Sequence, residues 1–99
     1  MKEFRLLVTD DAELDIAVVR DRYRAIGVEL ESAFRSSLDD AILAIRQRPL
    51  AFRLVHRSLR RVILRRFPYF LIFEIFDETV VVVACMHMRR DPKNWHARD

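Results

Sequence analysis

Tyr69-Phe70-Leu71-Ile72-Phe73-Glu74-Ile75-Phe76, then Asp77-Glu78, then Thr79-Val80-Val81-Val82-Val83-Ala84-Cys85-Met86-His87: two apolar runs stand either side of a two-residue polar break. Both runs are dense in aromatic and β-branched residues, which fit a pleated, buried surface. Glu74 is the only charge in the first run, and Asp77-Glu78 is short enough for a tight hairpin. Upstream, Arg61 to Phe67 alternates between Arg61/Ile63/Arg65/Phe67 and Val62/Leu64/Arg66, the period of a third strand. Pro68 separates it from the next run and belongs at a bend or strand edge, because it has no amide to donate. A short additional strand has room around Leu54 to His56. The stretch from Phe67 to Phe76 is too short to cross a bilayer as a helix and carries Glu74, so core packing accounts for it.

The first half is helical in pattern. Phe4, Leu6 and Val8 share one face at period two and mark a short opening strand. Asp10 can cap the amides that follow, with Glu13 three residues on reaching back as in a capping box. Ala12, Ile16, Val19, Tyr23 and Ile26 then recur as one helical stripe. Gly27, the only glycine, stands where a left-handed cap would end this helix. Leu30, Phe34, Leu38, Ala41, Ile42 and Ile45 mark a second helix that stops before Pro49. The expected fold is α+β: a short N-terminal strand, an antiparallel helical hairpin, then a three- to four-stranded antiparallel sheet packed on the helices.

Ninety-nine residues suit one domain, spanning 1–99. A lone cysteine, Cys85, cannot pair internally, which fits a reducing compartment. The N-terminus lacks a signal-peptide pattern, and no uncharged apolar stretch approaches the roughly 20 residues of a membrane helix. The expectation is a soluble cytoplasmic protein with no membrane association. The net charge of +3 is unevenly spread: residues 1–49 carry 8 Lys/Arg against 10 Asp/Glu, and residues 50–99 carry 10 against 5. Arg53, Arg57, Arg60, Arg61, Arg65 and Arg66 cluster, and Arg89, Arg90, Lys93 and Arg98 close the chain. Such clustering favours nucleic acid or an acidic protein surface. The competing reading is a solvated sheet face whose arginine stems cover apolar surface.

Conventional chemistry is thinly represented. His56, His87 and His96 have no serine or cysteine partner at an informative spacing. Cys85, His87 and His96 do not form a metal-ligand motif, and no glycine-rich phosphate loop exists, so no metal or cofactor is expected. Asp10/Asp11 and Asp39/Asp40 are accounted for by helix capping and solvation. The arginine-edged sheet and its basic, Trp-containing tail could cleave RNA, with cations stabilising the phosphate transition state, or dock onto a macromolecule through Arg and Trp anchors. Spacing alone leaves both open.

Arg65-Arg66-Phe67-Pro68-Tyr69, the apolar run Phe70 to Phe76, Val80 to Ala84, then His87-Met88-Arg89-Arg90-Asp91-Pro92 and Trp95 follow one another in the order and spacing of a known family. The second half, from about Val62 to Arg98, resembles the RelE/ParE toxin superfamily, and its ParE branch in particular. The first half agrees more loosely, through a short strand and Asp11-Ala12-Glu13-Leu14-Asp15-Ile16 opening a hairpin that contains Tyr23. The family commonly has glycines and prolines before the arginine-rich strand. Pro49 to Ser58 has one proline and no glycine, so a more ordered connection, or a strand near Leu54, is expected there. Met88 stands where glycine commonly follows His87.

The resemblance implies the toxin of a bacterial type II toxin–antitoxin module, of the kind tied to plasmid stabilisation. Such a toxin arrests growth until a cognate antitoxin binds it, and oligomers can be built through the antitoxin. The RNA-cleaving branch uses a sheet arginine and a terminal tyrosine, which align with Phe70 and Trp95 here; neither can do that work. Arg90 matches a basic catalytic position, but one arginine is not a site. The ParE branch is associated instead with poisoning of DNA gyrase by binding. The favoured expectation is therefore a gyrase inhibitor with no catalytic centre, its target-binding residues Arg61, Arg65, Arg66, Arg89, Arg90, Trp95 and Arg98. The alternative is a ribosome-dependent mRNA endonuclease using Arg65, Arg66, His87 and Arg90. A non-toxic relic or plain nucleic-acid-binding module is the third reading.

Overall fold

Thr9 links the first strand, β1 (Arg5–Val8), to the first helix, α1 (Asp10–Ile26), and the computed structural model describes residues 3–89 around that start. The Thr9 hydroxyl accepts the Ala12 N–H at 3.2 Å from an extended backbone, φ −67° and ψ 160°. The helix cap is thus one residue earlier than the expected Asp10. Asp10, Asp11 and Glu13 occupy the first turn, where the helix dipole favours negative charge. With Ala12 three residues after the cap, no capping box can form.

Gly27 also departs from expectation. Its φ of 177° is extended, not left-handed. Its N–H donates to Tyr23 O at 3.0 Å, closing α1, and its carbonyl accepts the Glu31 N–H at 3.2 Å, opening α2 (Val28–Gln47). One residue ends one helix and begins the next, and an extended conformation is what the second role requires. The α1 stripe buries Ala12, Ile16 and Val19 and half-buries Tyr23. It stops there, because Ile26 is 74% exposed at the hairpin apex. From α2, Phe34, Leu38, Ala41 and Ile45 are buried.

A 3₁₀ turn at Pro49–Ala51 leads into β2 (Leu54–His56), so the glycine-free connection is ordered as expected. β3 (Leu59–Ile63), β4 (Tyr69–Phe76) and β5 (Thr79–His87) complete a sheet of order β1-β5-β4-β3-β2 among the described residues. β2 to β5 run antiparallel to their neighbours, whereas β1 lies parallel to β5, with Leu6 opposite Val80. A parallel pair needs a long crossover, and the helical hairpin with β2 to β4 after it supplies the connection.

The expected strand from Arg61 to Phe67 is shifted: β3 begins at Leu59 and ends at Ile63. Leu64 N–H still donates to Tyr69 O at 2.9 Å, but Arg65 to Pro68 leave the sheet, with Arg66 at φ 73°. The alternation in sequence continues after the ladder stops, because Leu64 and Phe67 both turn into the core. In β5, pairing skips from Ile72↔Ala84 to Phe73↔Val82. This bulge puts two successive residues on one face and keeps the valine run in phase on either side.

Leu71, Phe73, Val80, Val82 and Cys85 face the helices and join their apolar residues in the main core. Leu59, Phe70, Ile72, Ala84 and Met86 alternate with them and form a second buried cluster on the opposite face.

Candidate functional site

The loop between β3 and β4 is where the first arginine motif resolves into geometry. Phe67 is its anchor: its ring meets Phe34 edge-on (centroids 5.5 Å, 86°) and Tyr23 edge-on (5.1 Å, 66°). Phe34 also packs against Tyr23 at 5.4 Å and Tyr69 at 6.1 Å. Tyr69 N–H donates to Phe67 O at 2.8 Å, so the chain reverses tightly across Pro68. Ser37, the buried polar residue of α2, donates through Oγ to Arg65 O at 2.7 Å. The loop is thereby pinned to a helix while the side chains of Arg65 and Arg66 remain exposed. They line a cleft of about 390 Å³ with Glu29, Ser32, Ser36, Ser37 and Asp40.

The second motif meets the first through the backbone. Met88 N–H donates to Pro68 O at 2.9 Å, and Tyr69 pairs with His87 across the sheet. The His87 ring lies edge-on to Tyr69 at 5.1 Å, and its Nδ1 accepts the Arg89 N–H at 3.1 Å. That acceptance assigns the proton of the neutral ring to Nε2. Tyr23 approaches Tyr69 at 6.3 Å. Burial and then the neighbouring Tyr69 raise the Tyr23 pKa against the opposing pull of Arg22, so its hydroxyl is a donor and not a base near neutrality.

The expected site residues therefore divide. Arg65, Arg66, His87 and Arg89 gather at one corner, where β4 begins and β5 ends. Arg61 does not join them: it alternates onto the sheet face away from the helices, its guanidinium 5.5 Å from the Phe70 ring centroid. Arg90, Trp95 and Arg98 lie outside the described residues. Other arginines are committed to architecture. Arg46 Nε donates to Phe4 O at 2.8 Å, and Arg60 Nη1 donates to Phe52 O at 2.7 Å.

Sequence reasoning missed Asp15 and Ser37. β1 ends opposite Val82, so beyond it one edge of β5 lacks a strand; Asp15 Oδ2 accepts the Cys85 N–H there at 3.0 Å. Only the packing of α1 against β5 brings these residues together, 70 positions apart. Burial first, then Asp15, push the Cys85 thiol up to about 12, which makes it a packed side chain and not a nucleophile. No group of three or more candidate metal ligands occurs among the described residues. The corner presents exposed guanidinium groups that can pair with anions, on a loop that aromatic packing of Phe67 holds to the helices.

The family model for the ParE toxin of the type II toxin–antitoxin system parDE matches residues 6–92, most of the chain and both motifs. The chain belongs to the ParE toxin family. Among solved structures, this family member is similar to a chain of the chromosomal ParDE system from P. aeruginosa, at 17% identity and a TM-score of 0.74. That match covers 86% of this chain and 96% of the other. A chain of the RelBE2 toxin–antitoxin complex from Mycobacterium tuberculosis matches at 20% identity and TM-score 0.57, covering 86% and 98%. One from the E. coli RelBE complex matches at 19% and 0.51, covering 88% and 99%. These identities speak to fold, which is the RelE/ParE-like arrangement expected from the sequence. No curated protein matches the chain in sequence.

Proposed function

We propose that this chain is the toxin of a type II toxin–antitoxin pair, that it arrests growth by binding and poisoning DNA gyrase in the cytoplasm, and that a cognate antitoxin neutralises it. The observation that carries binding over catalysis is Phe70. By the family resemblance it aligns with the RNA-cleaving branch's sheet arginine; here it is 5% exposed, with the Arg61 guanidinium 5.5 Å from its ring centroid. A charge at that place would have to be buried, at a cost of several kcal/mol. Contact with the target then falls to the exposed Arg65, Arg66 and Arg89 at the corner and the half-buried Arg61 on the far sheet face, together with Arg90, Trp95 and Arg98, which lie outside the described residues. The test is a supercoiling assay with purified gyrase alongside induction of the chain in cells. Inhibited supercoiling and DNA damage are expected, and normal supercoiling at growth-arresting levels refutes the gyrase reading.

The antitoxin reading is supported by the similar structures, two of which are chains of toxin–antitoxin complexes. It is supported physically by the outer edge of β1, an end strand of the sheet, beside a groove of about 650 Å³ along α1. Val8, Leu14, Ile16 and Ala17 line that groove, with Asp10, Glu13 and Arg20 at its margins. An antitoxin's C-terminal region could add backbone hydrogen bonds at the edge and lay apolar side chains across the hairpin. A complex unaffected by replacing the antitoxin's C-terminal half counts against this.

One observation favours a second reading, ribosome-dependent mRNA cleavage. His87 packs on the Tyr69 ring and accepts the Arg89 N–H at the corner where the exposed Arg65 and Arg66 also lie, an imidazole in a basic neighbourhood. Transcript ends mapped after induction separate the two: cuts tied to codon position support cleavage.

A further inference from the structure

The apex of the helical hairpin carries two large apolar side chains that nothing in the fold uses. Ile26 is 74% exposed and Val28 is 72% exposed, on either side of Gly27. Isolated exposed aliphatics are ordinary on protein surfaces; these are paired at a tip and stand beside the arginine corner. Two contacts tie tip to corner. Tyr23, one turn before Ile26, packs edge-on against Phe67, and Glu29, next to Val28, lines the cleft that holds Arg65 and Arg66. Arg22 on α1 and Arg89 after β5 are also exposed.

We infer that the hairpin tip and the arginine loop form one docking surface for the target protein, Ile26 and Val28 entering an apolar pocket that carboxylates surround. This rests on the reading that the chain acts by binding a protein. Apolar anchors accompanied by exposed arginines are the composition in which interface energy concentrates. The charge pattern favours a protein over nucleic acid. A phosphate backbone gains nothing from Ile26 or Val28, and Glu29 and Asp40 in the arginine cleft would repel it. Acidic side chains on a folded partner can reach Arg22 and Arg89, which do not line that cleft, individually while avoiding those two carboxylates. The groove along α1 is lined by other residues, so this surface is distinct from the one offered to the antitoxin.

The test is the full chain with Ile26→Gln and Val28→Asp together, both exposed and both compatible with their helix ends. Four readouts are compared with wild type: growth arrest on induction, inhibition of purified gyrase, co-purification with the antitoxin, and thermal melting. The expected result is loss of arrest and at least about a thirtyfold higher concentration for half-inhibition, with antitoxin binding and melting unchanged. Should the double variant melt lower, Val28→Asp alone, an acid in a helix's first turn, gives the same comparison on a sound fold. Arrest as strong as wild type overturns the inference, whatever gyrase does. Loss of antitoxin binding also overturns it, since the tip would then belong to the antitoxin, and so does a wild-type dimer that the variant dissociates. A plain DNA duplex shifted by wild type but not by Arg66→Ser, with arrest intact in the tip variant, makes the surface a phosphate reader. Arrest by wild type without gyrase inhibition removes gyrase as the target and leaves the inference standing if the tip variant is inactive.

Discussion

Asp15 supplies the hydrogen-bond acceptor that β1 would have supplied to Cys85 had it been longer, and its removal should be felt by the whole fold. Asp15→Ala leaves the buried Cys85 N–H without its acceptor, on the strand that joins the parallel and antiparallel parts of the sheet. A hydrogen bond to a charged group contributes ~1.5–3 kcal/mol. Asp15 is half-buried, which places the loss at the lower end, ~1.5–2 kcal/mol, since water screens part of the charge. In a domain of this size each kcal/mol moves the melting temperature by roughly 4–8 °C, so Asp15→Ala should melt about 6–16 °C lower. Asp15→Asn keeps an amide oxygen in the same place and should lose about half as much. Thermal melting by circular dichroism measures both, and amide exchange at Cys85 should quicken in the alanine variant. If Asp15→Ala melts within about 2 °C of wild type, or the Cys85 amide exchanges no faster, the carboxylate does not hold this strand.

Gly27→Ala should stabilise the chain by ~0.4–1 kcal/mol in urea unfolding, because its φ of 177° suits any residue, an added Cβ meets nothing within 4 Å, and the unfolded chain loses freedom. Phe34→Ala removes a fully buried ring that touches Tyr23, Phe67 and Tyr69. At ~3–5 kcal/mol against a total of about 5–15, the chain should become largely unfolded or melt near ambient temperature. The Cys85 thiol titrates at about 12 when folded and near 9 otherwise, so its contribution is intact below pH 9 and is lost as pH rises from there toward 12. Urea unfolding at pH 8, 9 and 10 should show a steeper alkaline decline for wild type than for Cys85→Ala.

The hairpin of β4 and β5 was legible because its signals are local: two β-rich runs and a two-residue break, with Asp77 alone taking a positive φ of 56°. The helices were legible from spacing, and their ends less so. Thr9 and Asp10 are both good caps, and only the backbone decides between them. Gly27 suggested a left-handed cap because the common use of glycine at a helix end differs from its use between two abutting helices. The strand overshoot to Phe67 has a similar cause: side-chain alternation persists through a loop whose Leu64 and Phe67 still point inward. At the corner, the two motifs are local signals, but that they meet is seen only in the pairing of Tyr69 with His87 and the Met88–Pro68 bond. Arg61 falls on the other face, where its guanidinium meets Phe70, because alternation gives a face but not what lies on it. Ile26 was assigned to the stripe because periodicity carries no record of where the neighbouring elements end. The Asp15–Cys85 and Ser37–Arg65 bonds cross 70 and 28 residues, and no local pattern encodes them.

The parallel seating of β1 against β5 has a consequence in time. Leu6 must wait for Val80, and Val8 for Val82, before either edge is closed. At a synthesis rate of about 5–20 residues per second, the opening strand exists for roughly 4–15 s before its partner is made. The helical hairpin can form early, since its contacts are near in sequence. The sheet on which it rests, and the corner that Met88 ties to Pro68, come only with the last strand.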